Sequence, residues 1–289
     1  MNKEIFIILA CVPLYVINSF CDKIVSSKEQ NRYNYFYNAL KFLICSICML
    51  PLVISDKMDV LAVGNLLCGA FCGIMYAISK TVMLKGYEKT SVAFMTLCHS
   101  SGMILPCIIG HFFWSERLSA ISFSGVILAI MAIVLLKGGK EQNKKISLKN
   151  SVFGLIIFLT SAGVMITQKL MGIYFADQSI AAYNFYSFIV PFLIISCLIR
   201  RRQVVGGEKK NKRTVCISAI GSAVSLCVIS FVMTSLSGRV PSVLLFPLFN
   251  GLGIMLVCIG SVFAFGEKLT AKKAVGLLLG VVGLCLVNA

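Results

Sequence analysis

The chain can be cut into ten apolar runs, each close to the length a helix needs to cross a lipid bilayer, and this segmentation constrains the fold more than any other feature. The runs fall at 4–21, 34–54, 60–82, 91–113, 118–136, 151–171, 181–199, 214–236, 241–264 and 270–288. A crossing takes roughly 20 mostly apolar residues, because a rise of about 1.5 Å per residue must cover about 30 Å of hydrocarbon. The joints between runs are short and polar, so almost nothing remains for a soluble domain. Composition agrees: 58% of the 289 residues are hydrophobic and 13% charged, where soluble domains carry about a quarter. The expected fold class is all-α integral membrane, with ten transmembrane helices. The first run lacks a small-residue cleavage site and similar runs follow it, so it reads as a retained helix rather than a secretory signal.

A net charge of +16 would point to nucleic acid in a soluble protein. Here the charge follows loop parity instead, and no nucleic-acid partner is expected. The odd-numbered joints and the helix ends beside them hold 22 of the 27 Lys and Arg; the even side keeps Lys3, Lys57, Arg117, Lys169 and Arg239. Positively charged loops are retained in the cytoplasm, so the odd joints are expected there and both termini outside. The setting this implies is a bacterial cell (inner) membrane, with the bilayer as the first partner.

The 13 cysteines are scattered, mostly within apolar runs, where a free Cys behaves as a small hydrophobe. Cys45 and Cys48 form a CxxC in mid-run, but no second pair or nearby His completes a metal site. Neither a metal nor a cofactor is expected.

The basic joint "KGGKEQNKKISLKN" at 137–150 separates five runs from five. Residues 1–136 and 151–289 are therefore expected to be two five-helix repeats joined by this loop. Self-similarity supports the division. "FFWSERLSAISFSG" from Phe112 aligns with "FAFGEKLTAKKAVG" from Phe263 at a constant offset, so that Glu116 meets Glu267, Arg117 meets Lys268, Ser119 meets Thr270 and Gly125 meets Gly276. Small Ala129 and Ala132 meet Gly280 and Gly283, and upstream Ser91 meets Ser242, His99 meets Asn250 and Gly102 meets Gly253. Matches between leucines carry little weight; the charged pair, the hydroxyl after it and the glycine spacing carry more. Because each half has an odd number of crossings, the second copy enters the membrane from the opposite side, and inverted halves of this kind support alternating access.

The "SERLS" joint at Ser115, the "GEKLT" joint at Gly266, and Lys23 and Lys169 closing the first helix of each half resemble the EamA type of the drug/metabolite transporter superfamily. The resemblance spans essentially the whole chain. It implies a secondary transporter, usually an exporter of small metabolites, amino acids or toxic compounds. In that family the first, third and fourth helices of each half line a central cavity and the fifth and tenth are peripheral. Members are drawn with both termini in the cytoplasm, opposite to the orientation that the charge count favours here.

If those helices line a cavity, their polar residues become candidates, since ionisable groups in hydrocarbon are costly and functional by default. His99 and its repeat mate Asn250 come first, for an imidazole can hydrogen-bond a solute or take a proton near neutral pH; the alternative is satisfaction by a helix carbonyl. Lys80, one turn after Tyr76, either holds an anionic group or a carboxylate, or snorkels to the interface. Asn18 in the first run, Gln168, Thr160 and Ser161 in the sixth, and Ser222, Ser225 and Ser230 in the eighth complete the set, with interhelical packing as the alternative for each hydroxyl. "PLFNGLG" at 247–253 is the expected helix irregularity, because proline removes a backbone bond and glycine permits distortion. Glu116 and Glu267 read as anchors at the start of a helix, favoured by its dipole, with a coupling proton site as the minor reading. The small-residue rows suit close helix packing, either with each other or across a dimer.

A membrane enzyme would need a nucleophile and base or a ligand set, and His99 and His111 have no such spacing. A channel would ordinarily assemble its filter from several chains. The expected function is therefore a secondary active transporter, exporting a small polar metabolite, amino acid or drug-like compound as a monomer or homodimer. Proton coupling and facilitated diffusion stay open. With Asp22 assigned to a helix end, no carboxylate is expected in the cavity, which disfavours a quaternary-ammonium specialist.

Overall fold

The computed structural model describes residues 2–25, 31–56, 58–89, 92–116, 119–137, 148–201, 212–265 and 271–287. Among these the chain forms eleven helices: α1 (Asn2–Val25), α2 (Asn31–Ser55), α3 (Val63–Lys89), α4 (Val92–Ser101), α5 (Ile104–Phe113), α6 (Ala120–Lys137), α7 (Leu148–Tyr174), α8 (Ile180–Arg201), α9 (Lys212–Ser237), α10 (Ser242–Phe265) and α11 (Ala271–Val287). Seven of them, α1, α2, α3, α7, α8, α9 and α10, are long and apolar enough to cross a membrane.

The polarity of the bundle is inside out relative to a soluble protein. Phe6, Ile54 and Phe263 are 72%, 81% and 85% exposed, while Lys41, Asn65, Asn184, Ser222 and Ser237 are fully buried. Lipid is as apolar as leucine, so the apolar side chains gain little by facing inward. The polar ones turn inward to find partners.

The expected single crossing at 91–113 is two helices, α4 and α5, meeting at Gly102–Met103. The cause is local. Pro106 has no N–H to give to the Gly102 carbonyl, and the turn is closed by short-range bonds from Gly102 N to His99 O (3.3 Å), Met103 N to Ser100 O (3.4 Å) and Leu105 N to Gly102 O (3.3 Å). The Ser161 hydroxyl of α7 then donates to the exposed His99 carbonyl at 2.7 Å. A Cβ on Gly102 would lie 2.8 Å from the Ser161 side chain, so glycine lets α7 approach the break. The corresponding stretch in the second half corrects the sequence expectation: α10 runs unbroken through Pro247 and Gly253. Gly253 serves packing there, its missing Cβ making room for the Tyr15 ring at 2.7 Å.

Helices from the two ends of the chain are interleaved: α1 packs on α9 and α10, α2 on α8 and α9, and α3 on α7 and α8. The small-residue rows meet each other, since α6 packs on α11 and a Cβ on Gly280 would touch Ala132 Cβ at 3.5 Å. Between α2 and α9 the buried Cys227 thiol donates to the Cys45 carbonyl and the buried Cys45 thiol to the Ala223 carbonyl, both at 3.4 Å, in keeping with a packing role for Cys45.

The tightest crossing joins α7 to the turn after α9, where Gly172 and Gly238 stack backbone on backbone and a Cβ on either would run into the other's main chain. No side-chain adjustment relieves a clash with backbone. Gly172→Ala or Gly238→Ala is expected to cost on the order of 1–3 kcal/mol, read as a lowered melting temperature in detergent, while Gly221→Ala, whose Cβ would meet only Cys21 Sγ at 3.3 Å, changes it little.

Candidate transport site

Two polar clusters stand at opposite ends of the helix bundle. The first gathers around Asp22 in the last turn of α1. Three helices present pairs of residues four apart, which share a helix face: Asn18 and Asp22 on α1, Tyr37 and Lys41 on α2, Tyr76 and Lys80 on α3. Asp22 Oδ1 accepts from the Tyr37 hydroxyl at 2.6 Å, Lys41 Nζ at 3.1 Å and the Ser222 hydroxyl of α9 at 3.2 Å. Lys41 Nζ and the Ser222 hydroxyl also donate to Asn18 Oδ1, at 2.8 and 2.6 Å. Lys80 Nζ stands 3.5 Å from Asp22 Oδ2. The Lys41 side chain is 1% exposed, those of Lys80 and Asp22 21% and 33%. Two ammonium groups thus share one carboxylate.

Deeper in the bundle, Tyr76 packs at a tilt against Phe42 and Phe188, with ring centroids 5.7 and 6.3 Å away. Beyond it a neutral chain of partners crosses the interior. Gln168 Nε2 reaches Ser230 Oγ at 3.5 Å, and the Ser230 hydroxyl donates to Asn184 Oδ1 at 2.6 Å. Tyr183 donates to Thr167 at 3.2 Å.

The second cluster centres on Glu116. Ser115 has a φ of 53°, a left-handed conformation that glycine adopts most easily; its repeat mate is Gly266. That turn ends α5 and folds the chain back, so that Glu116 N donates to Gly110 O at 3.0 Å. The carboxylate lies over Gly110, where a Cβ would strike it. It then reaches across to the other half of the chain. Lys169 Nζ of α7 pairs with Oε1 at 2.6 Å, and the first N–H of α10, from Ser242, donates to Oε2 at 2.7 Å. Lys169 also donates to the Val240 carbonyl at 2.7 Å, and its side chain is 3% exposed. Nearby, Ser179 donates to Asp56 at 2.6 Å and Asn65 N to Gln178 Oε1 at 3.1 Å, tying the α2–α3 joint to the α7–α8 joint.

α9 links the two clusters, for Ser222 joins the first and Ser237 donates to the Gln168 carbonyl beside the second at 2.6 Å. Between those two residues the helix rises about 22 Å, most of a hydrocarbon core.

The structure sorts the sequence candidates. Asn18 and Lys80 meet in the first cluster and Tyr76 lies one turn deeper. Gln168 belongs to the buried chain between the clusters. Asn250, Ser225 and Thr160 donate to carbonyls of their own helices, Phe246, Gly221 and Ile156, at 2.9, 2.8 and 2.8 Å, which leaves Asn250 one further N–H. His99 sits half-buried at the α4–α5 break, with its carbonyl taken by Ser161. Glu116 is indeed at the start of a helix, but the helix is α10 from the other half rather than α6, which begins at Ala120. Glu267 lies outside the described residues.

Sequence reasoning missed two residues. Asp22 is at the end of α1, as expected, but its carboxylate faces the bundle and accepts from Tyr37, Lys41 and Ser222. Lys41 was counted among loop charges, yet it is 0% exposed inside α2. The spacings Asn18–Asp22 and Tyr37–Lys41 were the available signal. Setting aside Lys41, Lys80 and Lys169 as interior residues leaves 20 odd-side charges against 4.

A bundle of apolar helices with inward polar side chains and buried ion pairs is a multi-pass transmembrane protein. Residues 2–137, a little under half of the 289, match the EamA-like transporter family. A solved crystal structure superposes with a TM-score of 0.81, covering 99% of this chain and 96% of its own, at 12% sequence identity; at that identity the likeness shows the fold alone. No curated protein matches the sequence.

The two clusters predict different responses to substitution. Lys41→Met leaves a largely buried hydrogen-bonded set without its cation and is expected to cost roughly 3–5 kcal/mol, whereas Lys80→Met costs about 1 kcal/mol or less; melting temperatures in detergent compare them. At the other end, Glu116→Gln and Lys169→Met each destabilise by a similar 3–5 kcal/mol, and the double variant loses less than the sum by at least about 1.5 kcal/mol, because neither charge is then left buried alone.

Proposed function

We propose that the chain is a secondary transporter that exports a small polar metabolite, amino acid or drug-like compound by alternating access. In this reading α4 and α5 are one broken crossing, giving ten crossings in two inverted halves, α1–α6 and α7–α11. The observation that carries it is the Glu116 contact: a carboxylate of the first half, held by Lys169 and by the N-terminus of α10 in the second, joins the halves at one end of a polar interior. Rocking of the halves that parts this contact opens that end. The Asp22 cluster at the other end then serves as the loading site.

The Asp22 end adjoins the odd-numbered joints, which the positive-charge count favours as cytoplasmic. The Glu116 end then faces outward across a bacterial cell membrane, and the described conformation is closed to the outside. Glu116→Gln removes the charge that holds Lys169, so this variant favours outward opening. One chain carries both halves, and a monomer suffices; a homodimer places two pathways side by side.

Proteoliposomes loaded with amino acids, nucleosides and polyamines are expected to show counterflow of at least one solute. An imposed proton gradient is expected to drive net export; transport indifferent to the gradient marks a facilitative carrier instead. A Lys144→Cys probe in a cysteine-free background is expected to resist an impermeant thiol reagent added to intact cells; labelling from outside reverses the orientation.

A further inference from the structure

We infer that Lys80, seated beside Asp22 and Lys41, is the site for a carboxylate on the substrate, so that the exported solute is an organic acid or amino acid rather than a cation. The inference rests on the transport reading and narrows its substrate class.

The first argument is charge. Among the described residues, Lys41 and Lys80 face a single carboxylate within segments apolar enough to cross a membrane, and an uncompensated charge there is costly. One further anionic group completes two pairs. The second argument is how unequally Asp22 is used. Its Oδ1 holds Tyr37, Lys41 and Ser222 at 2.6, 3.1 and 3.2 Å. Lys80 faces Oδ2 at 3.5 Å, beyond the 2.7–3.2 Å of a formed N–H···O bond. Asp22 is therefore committed to Lys41, and Lys80 keeps donors for another acceptor.

The third argument is access. Lys41 is sealed at 1% exposure while Lys80 retains 21% and Asp22 33%, so the loosely held ammonium is also the one a solute can reach. It stands near the end of the apolar span Val63–Met83, yet it turns toward Asp22 within the bundle, which a lysine snorkelling to the headgroups would not do. Tyr76 lies one turn deeper, packed on Phe42 and Phe188, and gives the apolar part of a solute a surface to rest on. A cation approaching the same place meets the Lys80 ammonium beside Asp22, whose Oδ1 is already surrounded by donors.

The test uses the full chain in proteoliposomes, with a panel of amino, hydroxy and keto acids, each beside its own carboxamide. The carboxylate member of the transported pair is expected to exceed the amide at least about tenfold in kcat/KM, the size of one charge-assisted hydrogen bond. Lys80→Met brings the ratio to about one, and Lys80→Arg keeps most of it. A melting curve unchanged by Lys80→Met shows that folding is not the cause. A ratio near one in the natural protein, or a ratio that Lys80→Met leaves intact, overturns the assignment while transport itself stands. Failure to move any member of the panel or of the nucleoside and polyamine set overturns the transport reading, and this assignment with it.

Discussion

A helix that starts inside a low-dielectric bundle leaves its first N–H groups without partners, and a lysine in the same surroundings leaves a charge without one. Glu116 answers both needs at once, taking the Ser242 N–H with one oxygen and the Lys169 ammonium with the other. Much else follows from that contact. Gly110 must lack a side chain because the carboxylate lies over it, and Ser115 must enter the left-handed region to aim it there. Gly172 and Gly238 must stack so that α7 comes close enough for Lys169 to reach the Val240 carbonyl. The α5–α6 joint, α7 and the start of α10 are thereby held in one register.

The other end of the bundle is built on the same chemistry with a different count. Around Glu116 one carboxylate meets one ammonium, and both are nearly sealed from solvent. Around Asp22 one carboxylate meets two, and Lys80 stays within reach. A balanced, sealed pair suits a contact that holds helices together. An unbalanced, accessible one suits a place where something else binds. The neutral partners between them, Gln168, Ser230 and Asn184, satisfy one another without adding charge, which keeps the middle of the bundle polar at little electrostatic cost.

Several sequence readings survived contact with the structure because they rest on one residue's chemistry. The apolar runs are helical, with the run at 91–113 divided into two helices, and Lys80 and Asn18 needed partners wherever they lay. Readings that depended on where partners come from fared differently. Asn250 matched His99 in the repeat, but its amide turns back on its own helix. Pro247 and Pro106 look alike in sequence. Only near Pro106 does a neighbouring helix, through Ser161, take up a carbonyl at the break, and only there does the helix divide.

The sequence by itself determined the helical class, the likeness of the two halves around the Glu116 and Glu267 joints, and the uneven spread of positive charge over alternate joints. Each of these is a local or summed property, set by side-chain transfer into lipid and by charge near it. Only the tertiary structure decided that Glu116 caps a helix from the other half, that Lys41 is an interior residue, and that Asp22 is its counter-ion. Those are pairings between residues separated by 19 to 126 positions in the chain, and which acceptor a buried ammonium finds depends on the crossing of helices. No spacing along the chain encodes that.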